Sequence, residues 1–161
     1  MVLTAALAGC AGYKLGPTNG LSAGARTVQV LPFQNHTMEP RLIDAVSTAL
    51  RRDLVQDGTY RLETAGEGDI VVTGIITKFD RQGVSYLPND VITVQDYYLT
   101  MTARVTAKER GTGKILVDRE VKGRATIRVG NNQTSAEREA VPILAEDLAR
   151  QATSLLVDGS W

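Results

Sequence analysis

Alternation of apolar and polar side chains dominates the second half of the chain. From Leu99 to Lys108 every second residue is apolar, and the stretch 115–129 has apolar residues at most odd positions after a Gly-Thr-Gly turn. Successive side chains of a strand point to opposite faces, so this pattern predicts two paired strands with one apolar and one polar face. In either permitted register Arg104 lies opposite Asp118 or Glu120, which is a favourable cross-strand pair.

Three further segments are typical of β-strands. Residues 27–33 form the first, and Pro32 marks its end because proline cannot donate to a sheet. Residues 69–79 are β-branched and apolar at both parities, which predicts a central strand covered on both faces. Residues 60–64 suit a short additional strand.

Two stretches have apolar residues at helical spacing. The first ends at Gly58, and Thr37 is a candidate cap for its start. The second starts at a candidate capping box of Thr134 and Glu137 and contains Pro142, which should kink its first turns. The apolar stripes are Ile43, Val46, Leu50 and Leu54 in the first helix, and Val141, Leu144, Leu148, Ala152 and Leu155 in the second.

The elements follow the order β-α-β-β-β-α, with the strand at 60–64 as an optional addition. This order predicts the α+β class, as a two-layer sandwich with two helices on one face of a mixed sheet of four strands, or five with that addition. The length of 161 residues suits one domain, which we expect to span 26–161. The predicted core contains Val30, Ile43, Val46, Leu50, Ile75, Met101, Val105, Val117, Ile127, Leu144 and Leu148.

The amino-terminal segment indicates export and lipid anchoring. Residues 1–9 are uncharged and lead into Leu-Ala-Gly-Cys, which matches the bacterial lipobox. We expect 1–9 to be a truncated lipoprotein signal peptide, Cys10 to be the lipid attachment site, and the Gly- and Ala-rich segment 10–25 to be a flexible tether. Several acyl chains on one cysteine would anchor the protein stably. The alternative is that Cys10 is an inert cysteine in an apolar helix.

Composition narrows the possible chemistry. Eighteen basic residues balance eighteen acidic ones, which removes the general electrostatic argument for a nucleic-acid partner. The single cysteine excludes an internal disulfide, and the single histidine leaves no His-rich metal centre. No nucleophile, base and orienting group can be assigned together, so we predict that the protein is not an enzyme and uses no cofactor or metal.

Charge is nevertheless unevenly distributed. The segment 104–128 has eight basic and three acidic residues, a net charge of +5, and several of its cations share the polar strand face. One interpretation is a solvated face held by salt bridges. The other is a cationic shelf for phosphates or carboxylates of an amphipathic ligand.

The chain resembles the LptE family of lipopolysaccharide-assembly lipoproteins along nearly its whole length. The resemblance rests on the order and spacing of several segments. These are the cysteine followed by Tyr13-Lys14-Leu15, Thr27-Val28-Gln29-Val30 leading into Phe33-Gln34-Asn35, the helix from Pro40, the strand 96–105 and the closing helix.

This resemblance implies a subunit of the outer-membrane lipopolysaccharide translocon. Members of the family plug the lumen of the LptD β-barrel one-to-one, are needed for its assembly and bind lipopolysaccharide. It therefore implies a lipid-anchored outer-membrane protein that faces the periplasm or lies within the barrel lumen. The residues nearest to the family's lipopolysaccharide-binding cations are Arg81 and Arg128, with Lys78 and Lys122 beside them, and Arg124 shares the cationic strand face.

A second resemblance concerns one strand only. Residues 28–35, Val-Gln-Val-Leu-Pro-Phe-Gln-Asn, are similar to the V-x-V-L-P-F-x-N strand of lipoproteins that secrete curli or activate penicillin-binding proteins. This leaves an alternative function in envelope assembly, whereas the closing strands fit the LptE family better.

Overall fold

The computed structural model describes residues 23–129 and 132–158. In chain order the elements are β1 (Arg26–Val30), β2 (Gln34–Asn35), α1 (Leu42–Asp57), β3 (Tyr60–Leu62), β4 (Ile70–Leu87), β5 (Asp90–Glu109), β6 (Ile115–Arg128) and α2 (Gln133–Asp158). The strands form one mixed sheet in the order β3-β1-β4-β5-β6, with β2 added to β4. The predicted α+β class is confirmed, with a sixth strand because residues 34–35 also pair with β4.

The sheet combines a parallel half with an antiparallel half. β1 pairs in parallel with β3 and β4, and α1 provides the crossover that a parallel connection needs. β4, β5 and β6 form an antiparallel meander in which β4 has 18 residues and β5 has 20. Each of these long strands therefore extends well beyond the mean strand length of about five or six residues.

The core lies between the helices and one face of the sheet. Leu99, Met101 and Val105 of β5 are fully buried and belong to the same cluster as Leu50 of α1 and Leu148 of α2. The alternating pattern of β5 and β6 therefore predicted their buried face correctly.

The prediction that residues 69–79 are covered on both faces is wrong. Ile70, Val72 and Ile76 are buried at 1% exposure or less, but Val71 and Ile75 between them are only half-buried. β-branched residues fit a pleated, partly exposed surface as well as a core, so their presence at both parities did not establish cover on the second face.

Both predicted helix caps are replaced by other residues. The side chain of Asn35 accepts hydrogen bonds from the amide and hydroxyl of Thr37, and α1 begins only after Arg41, whose φ is 73°. Leu42, fully buried, therefore occupies the core position predicted for the half-buried Ile43. In the same way, Asn132 caps α2 by accepting from the amide of Ser135 at 3.3 Å.

Candidate ligand-binding face of the sheet

The sheet face opposite the helices, defined as the open face, consists of alternate residues of β4, β5 and β6. Thr102 of β5 lies directly between Lys78 of β4 and Lys122 of β6. In the same way, Thr100 lies between Asp80 and Arg124. These rows form the floor of a shallow depression of about 660 Å³, defined as the polar depression. It is lined by Thr77, Lys78, Asp80, Gln82, Tyr98, Thr100, Thr102, Glu120 and Lys122.

Four of the five predicted lipopolysaccharide-binding cations lie on the open face. Lys78 and Lys122 line the polar depression, and Arg124 is the next residue along the same face of β6. Arg128 follows at the end of β6, where it lies opposite Asp96. The shared polar face predicted from the alternating pattern is therefore present.

Arg81 lies on the opposite face of the sheet. Its directly paired residue is Leu99, which is fully buried in the core beneath the helices. The cause is a β-bulge at Thr77, where one extra residue in β4 reverses the alternation of the side chains from Lys78 to Gly83. The structure therefore does not bring Arg81 together with the other four cations.

Carboxylates hold Arg81 in place on the helix side. Its guanidinium donates to Glu137 of α2 at 2.7 and 2.9 Å and to Glu39 at 2.9 Å, and its Cζ lies 4.7 Å from the centre of the Phe79 ring. The hydrogen bond from Arg81 lowers the pKa of the Glu137 carboxyl below its ordinary value. Arg81 thus links β4 to α2 and to the segment before α1.

Most open-face cations are also paired with carboxylates. Lys78 contacts Asp80 at 3.0 Å and Lys122 contacts Glu120 at 3.6 Å. Arg104 lies opposite Glu120 but bonds to the diagonal Asp118 at 2.6 and 2.7 Å, which confirms the predicted cross-strand pairing.

Arg128 and Arg124 differ in this respect. Arg128 donates to Asp96 at 2.9 Å, and this bond, followed by one from Ser85, lowers the pKa of the Asp96 carboxyl. Arg124, in contrast, has no side-chain ion pair or hydrogen bond within the described part of the chain. Among the described residues it is therefore a predicted cation that an anionic ligand can bind without displacing a carboxylate.

The polar depression also contains neutral polar groups, which were not among the predicted ligand-binding residues. The side chains of Gln82, Tyr98, Thr100 and Thr102 have no hydrogen-bond partner among the residues that the structure describes. The alternating sequence pattern predicted that Thr100 and Thr102 lie on the polar face. It could not predict which polar side chains lack a hydrogen-bond partner, because that depends on the residues of the neighbouring strands.

Metal sites and membrane-spanning helices are both absent from the described ranges. Within 23–129 and 132–158, no group of three His, Cys, Asp or Glu side chains is arranged to hold a metal ion. No helix in these ranges combines the length and apolar character that a membrane span requires. Residues 1–9, Cys10 and most of the tether 10–25 lie outside the described residues.

Residues 25–156 match the lipopolysaccharide-assembly family LptE. The chain belongs to the LptE family. The match confirms the resemblance found in the sequence and favours it over the resemblance of residues 28–35 to the curli-secretion type. LptE proteins are envelope lipoproteins that act in assembly rather than as catalysts. No curated protein sequence matches the chain.

Solved structures share the fold at low sequence identity. Protein XCC0632 from Xanthomonas campestris is 8% identical, with a TM-score of 0.62 over 92% of this chain and 93% of its own. Protein CT253 from Chlamydia trachomatis is 13% identical, with a TM-score of 0.60 over 86% and 98%. A minor lipoprotein from Acinetobacter baumannii is 16% identical, with a TM-score of 0.54 over 83% and 93%. At these identities the similarity shows only that these proteins share the fold of this LptE-family chain.

Proposed function

We propose that this LptE-family chain is the lipoprotein subunit of the outer-membrane lipopolysaccharide translocon. In this function it forms a one-to-one plug in an LptD-type β-barrel, helps that barrel to assemble and binds lipopolysaccharide. The observation that carries the proposal is the family match over residues 25–156, which includes both helices and all the described strands almost in full.

The open face supports the role of a plug. A barrel lumen is lined largely by polar groups, so a plug needs a folded body with polar side chains facing outward. Here Arg104 with Asp118 and Lys122 with Glu120 present charges of both signs that already neutralise each other. A polar wall can cover such a surface without burying many unpaired charges.

The cations of the open face support lipopolysaccharide binding. Lipopolysaccharide carries phosphates, and Arg or Lys side chains form charge-assisted hydrogen bonds with them. Arg124 is free of ion pairs among the described residues, with Lys122 and Arg128 on the same face of β6. Arg81 would have to exchange its bonds to Glu137 and Glu39 for such a contact.

The anchoring step follows from the sequence. Lipidation of Cys10 would hold the protein at the outer membrane, and the tether 10–25 would separate the acyl chains from the domain. A fully extended tether of this length reaches about 50 Å, enough for the domain to enter a barrel lumen from the periplasmic side.

Co-purification with the barrel tests the proposal. The full chain with its authentic signal peptide is expressed in its host, and the barrel subunit is recovered through an affinity tag on either partner. We expect a stable one-to-one complex, together with loss of folded barrel when the lipoprotein is depleted. Recovery of the lipoprotein without a barrel, under conditions in which both are folded, would contradict the proposal.

A further inference from the structure

The floor of the polar depression carries a hydroxyl group that has no partner among the described residues and is available to a ligand. The Thr102 residue is only 5% exposed, although no helix covers this side of the sheet. Its hydroxyl has no hydrogen-bond partner in the described ranges, and it is not one of the enclosed, unpartnered side-chain oxygens of these ranges, so it is open to the depression. A ligand seated in the depression would take the place of solvent as the partner of this hydroxyl.

The neighbouring free groups are neutral as well. Thr100 lies two residues along the same strand face, Tyr98 two residues further, and Gln82 is paired directly with Tyr98. Their hydroxyls and amide have no partner among the described residues. Each of these groups both donates and accepts hydrogen bonds.

The charged members of the depression are not free in this way. Lys78 is bound to Asp80 and Lys122 to Glu120, so each cation already has an anion beside it. A phosphate would have to displace these carboxylates. A ligand rich in hydroxyls meets no such competition, because it bonds to the neutral groups first.

The half-buried ring of Tyr98 adds an apolar surface beside these hydrogen-bonding groups. A sugar ring has the matching composition, because its C–H groups form an apolar face and its hydroxyls surround that face. The volume of about 660 Å³ lies within the range of small-ligand pockets and accommodates a short oligosaccharide.

We propose that the polar depression is a saccharide-binding site, with Thr102, Thr100, Tyr98 and Gln82 as its hydrogen-bonding groups. This proposal rests on the proposed function. The site would bind the sugars of lipopolysaccharide rather than its acyl chains or phosphates. Arg124, across from Thr100 at the rim, is placed to pair with an acidic substituent on the bound sugar.

The test measures binding of lipopolysaccharide-derived oligosaccharide, deacylated and dephosphorylated, to the full chain in detergent by calorimetry. Intact lipopolysaccharide and an unrelated neutral glucan are measured in parallel. The variants are Thr102→Val, which preserves shape without the hydroxyl, and Tyr98→Leu. Thr73→Val is the matched control, because Thr73 is an exposed β4 residue that does not line the depression.

We expect the wild type to bind the oligosaccharide and each depression variant to raise its Kd about 3- to 10-fold, the effect of losing one hydrogen bond. Thr73→Val should bind like the wild type. Binding of the glucan with equal affinity would extend the site to sugars in general.

Two outcomes overturn the inference. One is an oligosaccharide Kd unchanged by both depression variants, and the other is intact lipopolysaccharide binding without any oligosaccharide binding. The second leaves the proposed function standing, because lipopolysaccharide is still bound. Absence of both lipopolysaccharide binding and a barrel complex would instead contradict the proposed function.

Discussion

The guanidinium of Arg81 donates two hydrogen bonds, of 2.7 and 2.9 Å, to the two carboxylate oxygens of Glu137. The two residues are 56 positions apart in the chain, and their pair joins the middle of β4 to the first turns of α2. Because Glu39 contributes a third bond, one arginine fixes the relative position of β4, α2 and the segment leading into α1. Its first role is therefore structural, and ligand binding at Arg81 would compete with it.

Replacing Arg81 should destabilise the fold. In Arg81→Met the apolar stem over Phe79 is kept, but Glu39 and Glu137 lose their shared cation. We expect a loss of about 1–2 kcal/mol in the free energy of unfolding, measured by urea denaturation. Arg150→Met is the control, because Arg150 is 72% exposed and its single contact to Asp147 is 3.5 Å long. Equal denaturation midpoints for the two variants would contradict the structural role.

The same pair makes stability dependent on acid. Because the folded-state pKa of Glu137 lies below its unfolded value, its contribution is complete above the ordinary Glu pKa of about 4.3 and is lost as the pH falls through the folded value. Glu137→Gln should therefore differ from the wild type most at neutral pH and converge with it as the solution becomes strongly acidic. Denaturation curves between pH 7 and pH 3 check this, and a constant difference across that interval would show that the pair does not titrate as described.

Gly123 of β6 lies in close contact with the backbone of α2. A Cβ atom on Gly123 would clash with the carbonyl oxygen of Leu144 and touch the side chain of Leu148. Gly123→Ala should therefore push α2 outward and cost about 1–3 kcal/mol of stability. Gly111→Ala provides the control, because the space around Gly111 is open. Thermal unfolding of both variants separates the clash from a general effect of replacing glycine in this region.

Lipopolysaccharide binding should depend more on Arg124 than on Arg104. Both lie on the open face, but Arg104 is already bonded to Asp118, whereas Arg124 has no side-chain partner within the described residues. Arg124→Gln should weaken binding several-fold and reduce its salt dependence, while Arg104→Gln should change it less. Binding of purified lipopolysaccharide at two salt concentrations measures both effects. The reverse order of the two variants would exclude Arg124 as the main anion contact.

Lipid attachment is a separate prediction from the sequence. A protein expressed in its host with the authentic signal peptide should incorporate a labelled fatty acid, and Cys10→Ser should abolish that label. Label that persists in Cys10→Ser would place the lipid elsewhere or show that the lipobox assignment is wrong.

The extent to which the sequence predicted the fold differs between elements. The strict alternation in β5 and β6 predicted their buried face, because one face of each strand is packed and a slip of one residue would expose it. It also predicted that Arg104 pairs with Asp118 or Glu120, and the structure selects Asp118. The helix starts were predicted less well. Thr37 and Thr134 are plausible caps locally, but Asn132 caps α2 and α1 begins only after Arg41, which has left-handed backbone angles.

The candidate site shows the same division. Composition and alternation placed Lys122, Arg124 and Arg128 on one polar face, where the structure finds them. Whether a cation is free or already paired depends on diagonal and cross-strand neighbours, as the contrast between Arg124 and Arg128 shows. The lack of a protein partner for the Thr102 hydroxyl, among the described residues, likewise depends on three adjacent strands and is not visible in any local pattern.

The bulge at Thr77 affects how residues can be compared between members of the family. Before it, even-numbered residues of β4 face the helices, and after it the odd-numbered residues Phe79 and Arg81 do so. A relative without the extra residue would present the residue aligned with Arg81 on the opposite surface, even if it were also an arginine. Roles assigned by alignment along this strand therefore transfer only between chains that share the bulge. In chains with and without the bulge, identical residues lie on opposite faces and contact different neighbours.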